Sequence, residues 1–284
     1  MNSPRRLGLH LRLKDNLAAL VEEAQVLKLN CMQFFLVDEK THQYVNFSTK
    51  DKQLFLQARQ DFLTDVFIHS SYWINPASYS KDVFNLSRSL LRREIRTAKS
   101  LEISNLVLHA GSSKGYPTTE QDPLAKQKGL QTLAKMLNIL LKKESEVTIL
   151  LENAAHGNKS LGNDLHDFLT LKGYLDFPEK IGFCLDTAHA YAYGYDIADI
   201  DAFLAIVNQT MGLDSLKLIH FNDSENLFGS MQDKHAAPGQ GKIGKQVLSP
   251  YLHHPALKSL PKIIEAPTGS RQSLLHIIDI TSNW

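Results

Sequence analysis

Eight short apolar runs, spaced along the chain with longer amphipathic stretches between them, most constrain what it can fold into. They are Leu7–Leu11, Cys31–Val37, Val66–His69, Leu106–His109, Val147–Glu152, Ile181–Asp186, Leu216–Phe221 and Ile263–Glu265. Runs this short and this apolar suit strands buried on both faces. Between them, Asn16–Leu27 sets Leu17, Leu20, Val21, Ala24 and Leu27 at helical spacing, and Asp51–Phe62, Lys81–Ser100, Leu124–Leu141 and Asp199–Met211 also read as helices. Ser80 before KDVFNL, and Thr49 or Ser48 before KDKQLF, are the expected N-caps. Eight buried strands alternating with helices describe an α/β chain closed into a single (β/α)8 barrel, with a doubly wound open sheet as the alternative. No Gly/Ser or Pro linker interrupts the chain, so one domain is expected over residues 1–284.

Composition narrows the function. Hydrophobic residues at 43% and charged ones at 21% argue against wholesale disorder. The 31 Lys and Arg against 30 Asp and Glu leave a net charge of +1, which excludes a globally basic nucleic-acid binder but not a locally basic groove. Cys31 and Cys184 both sit in apolar runs and read as small buried hydrophobes of a reducing compartment. The Arg pair near the N-terminus is followed by no apolar core of a signal sequence, and no apolar run approaches the roughly 20 residues of a membrane span. A soluble, cytoplasmic protein is expected, nucleoid-associated if the source is bacterial.

Five of the 12 histidines fall at or near the ends of the apolar runs or in the loop between the last two. His69 ends VFIHS, His109 ends LVLHAGS, Glu152 ends ILLEN, and GFCLDTAH carries Asp186 and His189. His220 ends KLIHFND, Glu265 ends KIIEAP, and QDKHAAPGQGKIG between them holds Asp233 and His235. In a barrel the carboxyl ends of all strands open on one face, so polar residues ending six runs converge there. Each has a plainer reading: a lone strand-end His is more often a hydrogen-bonded loop residue, and Asp186 or Glu152 alone suits a helix N-cap. The set as a whole does not. Four crowded carboxylates require cations to stay ionised, and five imidazoles among them supply the nitrogen donors that suit zinc and manganese. Two divalent ions would neutralise the four carboxylates and three would leave roughly +2, the latter a balance suited to a phosphodiester.

HSSYWIN, LVLHAGS, LLENAAHGN, GFCLDTAHAYAYGYD, IHFNDSENLFGSMQDKHAAPGQGKIG and IIEAP resemble the signature blocks of the endonuclease IV family of apurinic/apyrimidinic endonucleases, over about Val66 to Pro267. The resemblance implies a TIM barrel with three divalent metals, zinc above all and manganese as an option at one site. It implies hydrolysis of DNA 5′ to abasic sites by a metal-bridging hydroxide, and trimming of blocked 3′ ends, by a monomer acting on double-stranded DNA without a membrane. Carried over by position, His69, His109 and Glu152 would hold one metal, Glu152, Asp186, His220 and Glu265 a second, and His189, Asp233 and His235 a third. Glu152 would also help position the nucleophile.

The resemblance also implies that Tyr72 enters DNA near the lesion and that Lys234 meets a phosphate, where the family usually has Arg. Two loops depart from it: RLKDN lacks the glycine-rich segment after the first run, and VDEKTHQY lacks the arginine that fills the abasic gap. Ala110 replaces the usual Pro after His109. Arg88, Arg92, Arg96 and Lys99 form a helical stripe best read as solvated surface. Gly239, Gly241 and Gly244 read as a turn-rich loop around the third metal, and of the remaining histidines only His10 is placed to support a ligand. A sugar isomerase or epimerase on the same barrel is the competing enzyme, but it leaves His69, His109, His189, Asp233 and His235 without work. A barrel that binds DNA without cutting it is the non-enzyme alternative.

Overall fold

The computed structural model describes residues 6–14, 16–38, 41, 43–116, 123–143, 146–157, 159–265 and 269–284. The strands are β1 (Leu7–Leu11), β2 (Cys31–Phe35), β3 (Asp65–His69), β4 (Asn105–His109), β5 (Thr148–Glu152), β6 (Ile181–Asp186), β7 (Leu216–His220), the two-residue β8 (Asp223–Ser224) and β9 (His235–Ala236), and β10 (Lys262–Ile264). All but β8 and β9 close into one parallel barrel in the order β1-β10-β7-β6-β5-β4-β3-β2, while β8 and β9 pair as a separate antiparallel hairpin. The open-sheet alternative is therefore set aside.

The helices are α1 (Leu17–Val26), α2 (Thr49–Asp61), α3 (Lys81–Ser100), α4 (Pro123–Leu141), α5 (His166–Lys172), α6 (Thr187–Tyr193), α7 (Ile200–Thr210), α8 (Lys245–Leu248), α9 (Pro250–His253) and α10 (Arg271–Ser282). Five of them match the expected helical stretches to within two residues at each end. Ser80 caps α3, and Ser48 rather than Thr49 caps α2 through a reciprocal pair with Asp51. Among the described residues no helix is long and apolar enough to cross a membrane.

Strand parity divides the core. Leu106 and Leu108 on β4, like Ile149 and Leu151 on β5, join the large cluster between barrel and helices. The alternate residues Cys31, Phe67, Val107, Leu150, Cys184, Leu218 and Ile263 form a second, wholly buried cluster, the plug of the barrel. Side chains alternate along a strand, so the residue two positions beyond each plug residue also faces inward, one layer nearer the carboxyl-end face. Those residues are Gln33, His69, His109, Glu152, Asp186, His220 and Glu265. On β1 the pair is Gly8 and His10, and a Cβ at Gly8 would lie 1.9 Å from the carbonyl oxygen of Cys31, so only glycine fits. One apolar layer thus supports one polar layer drawn from all eight strands.

Candidate metal centre

Glu152 stands at the middle of the polar layer, fully buried. Its Oε2 lies 3.1 Å from Nε2 of His69 and 3.0 Å from Nε2 of His109, and its Oε1 lies 2.7 Å from Nδ1 of His220. Nδ1 of His220 is also 3.3 Å from Glu265 and 3.8 Å from Asp186. On the far side, Asp233 Oδ1 lies 3.1 Å from His189 Nε2 and 3.2 Å from His235 Nε2, and the two imidazoles are 3.3 Å apart. The structure therefore brings all nine sequence-selected residues into one continuous cluster. Three overlapping groups within it have mutually close donor atoms: His69, Glu152 and His220; Asp186, His189 and His235; and Glu152, Asp186, His220 and Glu265.

Neighbouring groups fix which nitrogen faces the cluster. His69 Nδ1 donates to the carbonyl of Ser70 at 2.9 Å and His189 Nδ1 to that of Asn153 at 2.8 Å, which turns Nε2 of each inward. His220 is the reverse, with Nε2 donating to Gln33 Oε1 at 2.9 Å and Nδ1 facing Glu152. The Gln33 amide also donates to Glu265 at 2.8 Å and lies 2.9 Å from His10 Nδ1. Asn222 does the same for two carboxylates, donating to Asp186 Oδ2 at 2.7 Å and Glu265 Oε2 at 3.1 Å.

Asp186 satisfies both readings of its position. Its Oδ1 accepts from the backbone N–H of His189 at 2.7 Å and so caps α6, while Oδ2 faces the cluster, 3.6 Å from His235. Electrostatics bind the set together. Burial opposes ionisation of Glu152 and Glu265, yet the surrounding imidazoles hold both carboxyls well below their usual range. Burial likewise opposes charge on His189 and His220; the facing carboxylates raise His189 well above an ordinary imidazole, and Cys184 together with Glu265 and Glu152 does the same for His220. His69 moves the other way, lowered by burial. Such a cluster exchanges protons for cations. Donor atoms 3.0–3.3 Å apart are near the roughly 3.4 Å edge of a tetrahedron with bonds of about 2.1 Å, and nitrogen and carboxylate donors are those zinc takes. The residues present fit a divalent metal.

Around the centre, Tyr72 and Trp73 follow β3 on an exposed turn with rings 4.1 Å apart. Lys234 is exposed, and its ammonium rests on Glu225 at 2.5 Å, so a phosphate would share it with that carboxylate. His156 lies 3.9 Å from Asp233, a neighbour that sequence reasoning passed over together with Gln33, Asn153 and Asn222. The glycine loop serves Asp223 rather than the ligands. Its fully buried carboxylate accepts from the N–H groups of Gly239, Gly241, Ile243 and Gly244 at 2.8–3.1 Å. Lys99 pairs with Glu146 at 2.7 Å, while Arg88, Arg92 and Arg96 line a hollow of about 580 Å³ between α2 and α3, outside the barrel. Both cysteines are buried, which pushes the Cys184 thiol up to about 12. Of the two divergent loops, Asp15, Glu39, Lys40 and His42 lie outside the described residues, as do Ala266 and Pro267 of the last block.

The closed parallel barrel carries a His/carboxylate ring on its carboxyl-end face, and the profile of the xylose isomerase-like TIM barrel family matches residues 21–280. Within it the resemblance sharpens. A protein named a probable endonuclease 4 from Thermosipho melanesiensis is 31% identical over 268 residues, covering 92% of each chain. The chain belongs to the endonuclease IV family. The crystal structure of endonuclease IV from Thermus thermophilus superposes with a TM-score of 0.81 at 27% identity, covering 98% of this chain and 99% of that one. A D-tagatose 3-epimerase-like protein shares the fold, with a TM-score of 0.70 at 18% identity over 98% of this chain and 97% of its own.

Proposed function

We propose that the protein is a metal-dependent phosphodiesterase that hydrolyses DNA on the 5′ side of abasic sites. The observation that carries the reading is the cluster's size: nine donor residues form one run of contacts, in which Glu152 touches His69, His109, His189 and His220, and Asp233 touches His189 and His235. A sugar epimerase of this fold has no use for the half built from His189, Asp233 and His235. The family membership supports the same conclusion.

Three divalent ions, zinc by the donor set, fit the cluster: His69, His109 and Glu152 for one, Glu152, Asp186, His220 and Glu265 for the next, and His189, Asp233 and His235 for the third. When bound, such ions supply positive charge for a phosphate and lower the pKa of water. Glu152 has an oxygen toward each of the first two groups, so it holds their spacing and can accept a proton between them. Gln33 and Asn222 keep the carboxylates aimed inward, and the apolar plug beneath closes the site to water from below. Tyr72 and Trp73 stand where a duplex laid across the face would meet aromatic surface, a device for holding a kinked, opened strand. Duplex DNA with abasic sites or blocked 3′ ends is the proposed substrate.

The test is incision of a duplex bearing one abasic analogue against an undamaged control, with and without chelator, alongside metal analysis. Wild-type protein should cut only the damaged strand, carry more than two ions per chain and lose activity to chelator. Glu152→Gln should lower kcat by at least about 10³-fold, because one change disturbs two metals. An intact abasic strand at full metal loading would end the nuclease reading, and a single ion per chain would favour the epimerase class.

A further inference from the structure

α3 carries a carboxyl that the metal centre does not use. Glu94 is fully buried, and its Oε1 accepts two hydrogen bonds from different loops of the carboxyl-end face. One is from the Tyr44 hydroxyl at 2.7 Å, the other from the backbone N–H of Ser71 at 3.2 Å. Tyr44 belongs to the small hairpin after β2, held by the Val37–Tyr44 bridge and by Val45 N–H to the Leu36 carbonyl at 3.1 Å. Ser71 opens the turn after β3 that presents Tyr72 and Trp73, closed by Ile74 N–H on the Ser71 carbonyl at 3.0 Å. Two helical turns earlier on the same face of α3, the Ser87 hydroxyl accepts from Asn75 N–H at 3.0 Å. The two exposed aromatic residues are thus bracketed by fastenings to one rigid helix, at Ser71 and at Asn75.

The remaining polar atoms argue that this arrangement is costly to the fold. Among the described residues, Glu94 Oε2 and Ser71 Oγ are both buried without a hydrogen-bond partner. Burying a carboxyl with one oxygen unsatisfied costs stability, and a residue kept at that cost is more simply explained by what it holds in place. The Arg93 guanidinium stacks 4.3 Å from the Tyr44 ring centroid and donates to Asn46 Oδ1 at 3.3 Å, so the hairpin end of the tie is itself braced.

We infer that Glu94 is a positioning residue: it ties the hairpin after β2 to the turn after β3, and so sets where Tyr72 and Trp73 stand above the metal centre. The inference rests on the proposed action on DNA only for its kinetic consequence. The tie itself is a statement about this chain.

Trp73 supplies a readout independent of activity. The chain has two tryptophans, so Trp284→Phe leaves Trp73 as the sole emitter. In that background Tyr44→Phe removes one hydrogen bond and keeps the ring on Arg93, whereas Glu94→Gln keeps an acceptor oxygen for both donors. Tyr44→Phe should raise acrylamide quenching of Trp73 about twofold and KM for the abasic duplex about tenfold, with kcat and metal content within about twofold. Glu94→Gln should stay close to the parent in all four. Unchanged quenching and KM in Tyr44→Phe would overturn the inference while leaving the nuclease reading intact, as would loss of kcat and metal at constant KM. Should the parent leave abasic DNA uncut while Tyr44→Phe still raises the quenching, the substrate assignment fails and the tie stands.

Discussion

Asp223→Asn offers the sharpest test of how the hairpin that carries His235 is held. The Asp223 carboxylate is fully buried, with Oδ1 accepting from Ser224 and Ile243 N–H, both at 2.8 Å, and Oδ2 from Gly239, Gly241 and Gly244 at 3.0–3.1 Å. Asparagine has nearly the same shape but must turn an NH2 group toward one set of donors. In the better orientation two backbone N–H groups lose their acceptor, in the worse three. At about 1–3 kcal/mol for each buried donor left unpaired, the loss is roughly 2–6 kcal/mol, before counting the weaker bonds a neutral oxygen makes with the rest. That is a large part of the roughly 5–15 kcal/mol by which ordinary domains are stable. β8, which begins at Asp223, pairs with β9, which begins at His235, so the damage should appear first in the group of His189, Asp233 and His235. Urea titration with metal analysis at several chelator strengths measures both effects. We expect a midpoint well below wild type and one class of ion released at lower chelator than the rest. An unfolding free energy within about 0.5 kcal/mol of wild type, with every ion held as firmly, would show that the loop is not organised by the buried charge.

Two further perturbations probe other parts of the face. Burial pushes the Glu94 carboxyl up to about 7, from an ordinary value near 4.5. The native state therefore keeps a proton that the unfolded chain gives up, and stability falls as pH rises from about 4.5 to about 7, by roughly 3 kcal/mol in all. Urea midpoints of metal-free wild type and Glu94→Gln between pH 5 and 8 should show wild type losing that much against the variant; parallel curves would refute the shift. Gln33→Leu leaves His220 Nε2–H without its acceptor and removes one of the donors that aim Glu265, so metal affinity measured by chelator competition should fall about 10- to 100-fold with the helical content unchanged. Affinity equal to wild type would remove Gln33 from the site.

Much of this was legible because a parallel barrel leaves simple traces. Strands covered on both faces read as apolar runs, and the polar residue that ends a run marks by alternation which of its members share that residue's face. Phe67 and His69, or Leu150 and Glu152, show the step of two that lifts a polar residue into the upper layer. The same step applied to Cys31 reaches Gln33, so that residue was within reach of the pattern and was passed over for carrying no charge. Asn153 and Asn222 are likewise adjacent to or within two residues of the candidate ligands Glu152 and His220. α6 was harder: TAHAYAY has no apolar stripe, and its start is set by Asp186, whose capping oxygen and cluster-facing oxygen are separable only in three dimensions. Lys234 meeting Glu225, and the tie between Tyr44 and Ser71 through Glu94, join separate stretches of chain by geometry that no local pattern encodes.

The pairing of β1 with β10 has a consequence for how the centre comes into being. Glu265 follows β10, whereas its partners Gln33 and His10 lie on the first two strands, so that corner exists only after the chain has closed on itself across more than 200 residues of separation. Asp186, His189 and His235 span a much shorter stretch and need only β6, α6 and the small hairpin. Ions offered during refolding should therefore be captured in sequence, the locally built pocket filling ahead of the ring. Long-range closure is the slow step of barrel folding, and the last ion to bind would report its completion.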